Sequence, residues 1–481
     1  MIPITLGEVA AAVGGRLHQA TGEEMITGSV EFDSRKVTKG GLFLAFPGER
    51  VDGHDFAAAS VAAGAVGVLA ARPVNVPSVL VGDPDAGPAA QREALLAALS
   101  TLAAEVARRL PGLEIVGITG SSGKTSTKDL VARVLAPLGP TVAPPGSFNN
   151  ELGHPWTVLR ADRVTQHLVL ELAARGLGHI AALCAVAPPR IGVVLNVGSA
   201  HLGEFGSPEA VALAKGELVE ALPPAARGGV AVLNADDVRV AAMAARTEAR
   251  VVTFGVRTET ADVRATDIEL DELGRARFEL ITPKGDAEVE LQLVGEHQVG
   301  NALAAACVAL ELGADLEQLA DLLSEAEPSS RWRMEVTERA DGVTVINDAY
   351  NANPESMRAG LAALAAIAGA GRRAWAVLGE MGELGAASQA AHLELGRTVA
   401  QLEVPRLLAV GSADYQVGYD SVGIGGESMV VPDVPAALEI LHEQLRPGDV
   451  VLVKASRAAG LERIAAGLLT AAEGTEPGDA R

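Results

Sequence analysis

The length, composition and charge of the chain exclude several classes of protein. The chain has 481 residues, of which 48% are hydrophobic and 21% charged, and at about 150 residues per domain this length predicts roughly three domains. Its 39 basic and 61 acidic residues give a formal net charge of −22. That charge disfavours a nucleic-acid binder or a protein of anionic membranes, because such proteins are usually basic.

Cysteine usage and hydropathy indicate the compartment. Cys184 and Cys307 have no CxxC spacing, so we expect neither a disulfide framework nor a zinc site. Met1 is followed by no basic leader, and no run of about 18 apolar residues lacks a charge or a proline. We therefore expect a cytoplasmic protein without membrane insertion, and we expect a monomer.

The first part of the chain resembles a small α/β domain, for which we predict residues 1–86. Thr5 and Glu8 have the spacing of a capping box at the start of a helix. Short apolar runs bounded by Gly and Pro predict strands at residues 42–46, 65–70 and 78–81.

The middle part, residues 87–328, alternates strands and helices in the pattern of a doubly wound sheet. A helix is predicted over 91–110. The predicted strands are residues 114–118, 167–171, 191–197, 229–233 and 250–254. From 262 to 294, alternating polar and apolar residues around two turn signals predict antiparallel hairpins inserted in the domain. Helices over 298–312 and 316–324 complete the part.

The last part, residues 329–481, follows a predicted linker at 328–330 and repeats the alternation. Its predicted strands are residues 343–347, 374–378, 406–410 and 450–453. The tail from 473 to 481 is polar and contains Pro and Gly, which predicts a frayed end. The fold class is therefore α/β in three domains.

The sequence from Ile115 to Thr125 predicts a phosphate-binding loop. An apolar strand leads into Thr119-Gly-Ser-Ser-Gly-Lys-Thr125 and then into a helix that includes Ser126. In such loops, backbone N–H groups and the helix N-terminus hold phosphate oxygens, the lysine neutralises charge and the hydroxyl binds Mg²⁺. The loop is a shortened variant, because Ile118 stands where the strict pattern has Gly. The alternative is an ordinary Gly/Ser turn between a strand and a helix.

Two further residues could hold a metal ion beside this loop. Glu171 ends a predicted strand, and His201 lies just past the next one. Side chains beyond the carboxyl ends of parallel strands meet in one crevice, so both could join Thr125 as Mg²⁺ ligands, although His is an unusual ligand for so hard an ion. Taken singly, each would be an ordinary solvated or loop residue.

Several motifs together resemble the ATP-dependent Mur ligases of peptidoglycan synthesis. They are Thr119-Gly-Ser-Ser-Gly-Lys-Thr125, Ser147-Phe-Asn-Asn-Glu-Leu-Gly153, Glu171-Leu-Ala-Ala-Arg-Gly176, Ala200-His-Leu-Gly-Glu-Phe-Gly-Ser207 and Asp348-Ala-Tyr-Asn-Ala-Asn-Pro354. The resemblance extends over all three parts of the chain. Two positions depart from the family: Ser121 stands where Thr is frequent, and Leu172-Ala173 replaces the more usual Met-Gly.

The resemblance implies a fold and a reaction. The fold would be a small N-terminal domain for the UDP-sugar, a central phosphate-loop domain for ATP and a Rossmann-like C-terminal domain. The reaction would join D-alanyl-D-alanine to UDP-N-acetylmuramoyl-tripeptide through an acyl phosphate, giving the UDP-pentapeptide, ADP and phosphate. Lys124 would neutralise phosphate charge, with one or two Mg²⁺ ions held by Thr125, Glu171 and His201. Lys215 would be carbamylated, which could support the second ion.

The resemblance also implies the remaining site residues. Nucleotide contacts would come from Thr119, Gly120, Ser121, Ser122, Gly123, Lys124, Thr125, Ser126, Asn301, Arg331, Asp348 and Asn353, with Arg331 near the γ-phosphate. Substrate contacts would come from Ser34, Arg35, Asn149, Asn150, Tyr350 and Asn351, with Ser34 and Arg35 near the UDP diphosphate. The loops 380–385 and 454–457 resemble those near the incoming dipeptide.

Two alternatives stay open at this stage. A folylpolyglutamate synthase would share the phosphate loop and the ligase chemistry, but it normally lacks the N-terminal UDP-sugar domain and the motif that begins at Asp348. A nucleotide-dependent switch or binding module would need no acceptor substrate. The sequence does not reveal whether the third residue of the tripeptide is diaminopimelate or lysine.

Overall fold

The computed structural model describes residues 1–48, 51–198 and 202–473. In these ranges the strands form four sheets, and the architecture is α/β, as predicted. The predicted site residue His201 and the predicted tail beyond residue 473 lie outside the described ranges. Among the helices of these ranges, none is long and apolar enough to cross a membrane.

The N-terminal unit is built on a mostly parallel sheet. Its strands are, in spatial order, Arg16–His18, Ser78–Leu80, Gly67–Ala70, Leu42–Leu44 and Val30–Glu31. A small antiparallel pair joins Ile4–Thr5 to Met25–Ile26, and the helices are Leu6–Val13 and Ala57–Ala62. The predicted capping box is confirmed: Thr5 Oγ1 accepts from Glu8 N at 3.1 Å, and Glu8 Oε2 accepts from Thr5 N at 2.9 Å.

The central unit contains a parallel sheet extended by antiparallel hairpins. Its strands are, in spatial order, Gly285–Val294, Arg275–Thr282, Val263–Leu270, Arg250–Gly255, Val230–Asn234, Ile191–Val194, Glu114–Thr119, His167–Glu171 and Thr141–Val142. The helices that accompany it are Pro88–Arg108, Lys124–Leu135, Gly153–Val158, His179–Val186, Leu202–Phe205, Pro208–Glu220, Val238–Ala241, His297–Glu311 and Leu316–Ser324. The hairpins are confirmed and continue the central sheet, because Val263 pairs in parallel with Phe254.

The C-terminal unit is a second α/β layer. Its strands are, in spatial order, Glu335–Glu338, Thr344–Asp348, Val450–Lys454, Ala374–Leu378, Arg406–Val410 and Glu427–Val431. Its helices are Pro354–Ala368, Ser388–Gln401, Asp414–Asp420, Val434–Gln444 and Glu462–Glu473. The two edge strands were not predicted, because Glu335–Glu338 is largely polar and Glu427–Val431 is half exposed. Apolar runs identify buried strands more readily than edge strands.

Buried aliphatic packing fixes the elements around the phosphate loop. Helix His297–Glu311 is rich in alanine and buried over most of its length, and it packs on helix Lys124–Leu135, with Leu303 and Val131 both in the same core cluster. The small alanine side chains allow a close helix-to-helix approach. The start of the helix after the phosphate loop is therefore held rigidly against the sheet.

Candidate active site

The predicted phosphate loop joins strand Glu114–Thr119 to helix Lys124–Leu135. Gly123 has φ +80°, and a Cβ atom there would lie 2.5 Å from Asn301 Oδ1, so glycine is required at this position. Asn196 Oδ1 accepts from the backbone N–H groups of Ser121 and Ser122, each at 2.9 Å. The loop is therefore braced from the neighbouring strand end by a residue to which the sequence analysis gave no role.

Lys124 lies at the first position of the helix and points back over the loop. Its Nζ donates to the Gly120 carbonyl oxygen at 2.7 Å. Burial lowers the pKa of Lys124 from its ordinary value, and the negative charge of Glu171 opposes that shift. An anion bound in the loop would favour the charged form of this lysine in the same way.

Glu171 is a buried carboxylate at the end of strand His167–Glu171, where its exposure is 2%. Thr125 Oγ1 donates to Glu171 Oε2 at 3.0 Å, and Asn149 Nδ2 donates to Oε1 at 2.7 Å. Asn150 accepts from Gly153 N at 3.0 Å and orders the segment that carries Asn149. The structure thus brings Thr125 and Glu171 together as the sequence predicted.

The C-terminal unit faces the loop with the end of strand Thr344–Asp348. The buried Asp348 carboxylate forms an ion pair with Lys454, which is 1% exposed, and Lys454 Nζ also donates to the Asn351 carbonyl oxygen at 3.0 Å. Burial lowers the pKa of Lys454, and Asp348 opposes that shift. Asn353 caps helix Pro354–Ala368, and its Nδ2 lies 3.4 Å from the Ser121 carbonyl oxygen. Tyr350 is hydrogen-bonded through its hydroxyl to Ser147 of the central unit.

Of the two arginines at positions 331 and 333, the second lies beside the phosphate loop. Arg331 is exposed, whereas Arg333 Nη2 donates to Thr125 Oγ1 at 3.1 Å and the guanidinium lies 4.3 Å from the centroid of the Tyr350 ring. Trp332 and Met334 have φ +59° and +53°, so the backbone on both sides of Arg333 is irregular. The sequence offers two arginines two residues apart, and in the structure Arg333 is the one that contacts the loop.

These groups line one cavity of about 750 Å³. The predicted residues on its wall are Ser121, Ser122, Gly123, Lys124, Thr125, Ser126, Asn149, Asn150, Glu171, Asn301, Asp348, Tyr350, Asn351 and Asn353. Arg333, Asn196 and Gln298 also line the wall, and the sequence analysis did not assign them to the site. Lys454 and Glu383 line it as well, and they lie in the two loops that resemble those near the incoming dipeptide.

Lys215 lies behind the cavity wall on helix Pro208–Glu220 and is 5% exposed. Burial lowers its pKa well below the ordinary value, and the positive charge of Lys124 lowers it further. Lys215 is therefore a buried lysine that lies close enough to Lys124 for their positive charges to interact.

Ser34 and Arg35 lie away from this cavity, on a short 3₁₀ helix of the N-terminal unit. Arg35 is 86% exposed at its side chain and pairs with Asp33 at 2.8 Å. That pair lowers the pKa of Asp33 to about 2 through the hydrogen bond from Arg35. Within ranges 1–48, 51–198 and 202–473, no group of three or more His, Cys, Asp or Glu side chains is arranged to hold a metal ion.

Fold and site together define the class of nucleotide-binding enzymes with a phosphate loop at a cleft between two α/β units. Within that class, the Mur ligase middle domain matches residues 118–309, the Mur ligase glutamate ligase domain matches residues 332–457, and the Mur ligase family catalytic domain matches residues 28–107. The chain belongs to the Mur ligase family.

Individual relatives agree with this assignment. The chain is 55% identical to the UDP-N-acetylmuramoyl-tripeptide–D-alanyl-D-alanine ligase of Mycobacterium tuberculosis, over 98% of each chain. The crystal structure I of MurF from Acinetobacter baumannii has a TM-score of 0.84 at 32% identity, covering 97% of this chain and 99% of that one. The MurF ligase of Thermotoga maritima, in complex with ADP, has a TM-score of 0.77 at 30% identity, covering 93% and 98%.

Proposed function

We propose that the protein is an ATP-dependent ligase that joins D-alanyl-D-alanine to UDP-N-acetylmuramoyl-tripeptide, giving UDP-N-acetylmuramoyl-pentapeptide, ADP and phosphate. One observation carries the proposal: the phosphate loop and the polar strand end at Asp348 face each other across a single cavity, in a chain similar over its whole length to ligases of this name. Neither a folylpolyglutamate synthase nor a nucleotide switch is favoured by those relatives.

The cavity wall fits a nucleotide polyphosphate. Lys124 and Arg333 bring two cations to the loop, and Arg333 Nε is buried with no hydrogen-bond partner among the described residues. A buried donor without a partner costs free energy unless a ligand satisfies it. We assign Thr119 to Ser126 to the phosphates, Asn301 to the adenine, and Asp348 and Asn353 to the ribose or the adenine.

The donor set beside the loop fits Mg²⁺. The hydroxyl of Thr125 and the carboxylate of Glu171 are hard oxygen ligands 3.0 Å apart, and Mg²⁺ is typically held by one or two such groups together with substrate phosphates. We propose these two residues as ligands, with His201 for a second ion. Bound there, Mg²⁺ would neutralise negative charge that develops on the phosphates.

The residues around the cavity supply what activation of a carboxylate requires. A carboxylate resists an amine because its charge is delocalised, so phosphoryl transfer must first convert it to an acyl phosphate. Lys124 and Arg333 hold the transferring group and stabilise its charge. Tyr350, Asn351, Asn149 and Asn150 are proposed to orient the tripeptide end. The contact between Ser147 and Tyr350 closes the two units over the reacting groups and limits access of water.

Two remaining assignments concern residues outside the cavity wall. We propose that Ser34 and Arg35 bind the UDP diphosphate, for which the exposed guanidinium of Arg35 is available. We propose that Lys215 is carbamylated. The neutral amine is the form that adds to CO₂, and the lowered pKa of Lys215 favours that form. Mass spectrometry under mild conditions would detect the adduct, and an unmodified Lys215 would reject this assignment.

The wider organisation is proposed on the same basis. Residues 1–86, 87–328 and 329–481 would form the UDP-sugar, ATP and C-terminal ligase domains of a cytoplasmic monomer. Neither nucleic acid nor a membrane is expected as a partner.

The test uses the purified protein with ATP, Mg²⁺, UDP-N-acetylmuramoyl-tripeptide and D-alanyl-D-alanine. We expect phosphate release that depends on both peptide substrates and a product heavier by one dipeptide. Phosphate release without dependence on D-alanyl-D-alanine would reject the proposed reaction. Turnover with folate and glutamate instead would identify the folate enzyme, and nucleotide binding without turnover would indicate a switch module.

A further inference from the structure

A polar junction outside the reacting groups links the central unit to the chain that enters the C-terminal unit. The connector, residues 325–334, runs between helix Leu316–Ser324 and strand Glu335–Glu338. Ser330 Oγ of the connector donates to Asp129 Oδ2 at 2.6 Å. Asp129 belongs to helix Lys124–Leu135, the helix that begins in the phosphate loop.

The same carboxylate is fixed from its other side by a buried lysine. Lys128 is 2% exposed, forms an ion pair with Asp129 Oδ1 and donates to the Pro144 carbonyl oxygen at 2.9 Å. A buried ammonium needs its counter-ion, so the direction of the Asp129 carboxylate is set by Lys128 before Ser330 binds to it. Asp129 therefore offers the connector a rigid acceptor.

The connector makes polar contacts with this helix at three successive turns, and the outermost is an exposed pair between Glu325 and Arg133 at 3.3 Å. Arg333 donates to Thr125, and Ser330 donates to Asp129. Thr125 and Asp129 are four residues apart, one above the other on one helix face. The four connector residues from Ser330 to Arg333 thus span one turn of the helix, with a hydrogen bond at each end.

The connector is not packed closely against helix Lys124–Leu135 along its whole length. A cavity of about 810 Å³ lies between the helix and the connector, with Ser126, Asp129 and Arg133 on its wall together with residues 324–330. Where space separates two segments, their spacing depends on the polar contacts that bridge them. Here the shortest bridge is the hydrogen bond from Ser330 to Asp129.

We propose that Asp129 and Ser330 are positioning residues, which fix the connector so that the Arg333 guanidinium meets the terminal phosphate of the nucleotide. The inference rests on the proposed function for the identity of that nucleotide. Neither residue touches the reacting atoms. Their effect reaches the reaction through Arg333.

The test removes the hydroxyl and leaves the buried charges paired. Ser330→Ala should lower kcat/KM for ATP about fivefold, the size expected for loss of one ordinary hydrogen bond, with an unchanged melting temperature. Ser330→Thr retains a hydroxyl and should restore most of the loss. Ser329→Ala, the neighbouring exposed serine, is the matched control and should match the wild type.

A double-mutant cycle separates positioning from a general structural role. In an Arg333→Ala background, Ser330→Ala should produce no further loss, because the residue through which it acts is gone. An equal loss in both backgrounds, or no loss in either, would overturn the inference. Loss of melting temperature in step with activity would also overturn it.

Nucleotide binding keeps this test independent of the ligase reaction. By calorimetry, Ser330→Ala should weaken binding of a non-hydrolysable ATP analogue about fivefold and leave ADP binding unchanged, because only the analogue carries the terminal phosphate. Equal effects on both nucleotides would contradict the inference. A wild-type protein that binds both nucleotides but has no acceptor-dependent turnover would count against the proposed function alone.

Discussion

The central and C-terminal sheets present the same edge to the cavity but hold polar groups there in different ways. After strand Glu114–Thr119, the chain turns through small residues into a helix, and Asn196 accepts from the backbone N–H groups of Ser121 and Ser122 in that turn. After strand Thr344–Asp348, the chain presents side chains, above all the buried pair of Asp348 and Lys454. The phosphate loop is thus held by its backbone conformation, whereas the strand end at Asp348 is held by a buried ion pair between side chains.

This difference predicts different responses to substitution. On the central side, the backbone groups of the phosphate loop stay in place when a side chain is replaced. A substitution there should therefore change the rate of the reaction and leave the free energy of unfolding nearly unchanged. On the C-terminal side, Asp348 and Lys454 form a buried ion pair in which each charge neutralises the other. Removal of one of them should therefore affect both stability and binding.

Lys124 gives the largest expected effect on the central side. Lys124→Ala removes charge neutralisation at the phosphates and should lower kcat by about 100-fold or more. The melting temperature should stay near that of the wild type, because Lys124 contributes little to the apolar core. Steady-state phosphate release and a thermal melt measure both, and a near-normal kcat would contradict the site assignment.

Arg331 and Arg333 are the two candidates for the arginine near the γ-phosphate, and the same substitution at each gives a matched comparison. Arg333→Lys should lower kcat/KM for ATP about tenfold, because an ammonium cannot present the planar fork of donors that guanidinium does. Arg331→Lys should change it by less than about twofold, since this side chain is exposed. Steady-state kinetics on both variants show which arginine acts on ATP. A larger loss of kcat/KM for Arg331→Lys would support the sequence-based assignment of Arg331 to the γ-phosphate.

The buried pair sharpens the contrast on the C-terminal side. Asp348→Asn leaves the Lys454 ammonium buried without its counter-ion and should lower the free energy of unfolding by about 3 kcal/mol. Glu288→Gln breaks the exposed pair with Arg277, in which the side chains are 58% and 55% exposed, and should leave the free energy of unfolding nearly unchanged. Urea titrations measure the free energy of unfolding of both variants. Equal losses for Asp348→Asn and Glu288→Gln would contradict the claim that the buried pair stabilises the C-terminal side of the cavity.

His154 predicts a smaller effect, on the dependence of stability on pH. It is 1% exposed, and burial lowers its pKa from 6.5 to about 4. Below pH 6.5 the unfolded chain binds a proton that the folded chain does not, so stability is present above this pH and falls as the pH falls towards 4. Between pH 7 and pH 5 the loss should be about 2 kcal/mol.

His154→Phe removes this titrating group while retaining an aromatic ring. Urea titrations at pH 7 and pH 5 should therefore show a smaller difference in unfolding free energy for the variant than for the wild type. The same difference in both proteins would show that other groups cause the dependence on pH.

The sequence predicted the elements whose pattern is local and strong. The glycine-rich loop, the capping box at Thr5 and the hairpins around 271–274 and 283–286 follow from spacing that a short window of sequence contains. The half-exposed edge strands lacked the apolar run that identifies a buried strand.

Site residues that belong to a sequence motif could be predicted. Site residues that only the folded backbone brings to the cavity could not. Thr125 and Glu171 meet because strand ends of one parallel sheet meet. Arg333 rather than Arg331 contacts the loop, in a segment where Trp332 and Met334 have positive φ angles that non-glycine residues rarely adopt and that a sequence pattern does not reveal. The pairing of Lys454 with Asp348 joins residues 106 positions apart in the chain, a distance that no local pattern spans.

The most direct test of the central claim follows an oxygen atom through the reaction. UDP-N-acetylmuramoyl-tripeptide labelled with ¹⁸O in its terminal carboxylate is converted in the presence of ATP and D-alanyl-D-alanine, and the released phosphate is analysed by mass spectrometry. If the cavity activates the carboxylate as an acyl phosphate, one labelled oxygen should pass to each phosphate released. Phosphate without the label would show that the carboxylate is not phosphorylated and would contradict the account.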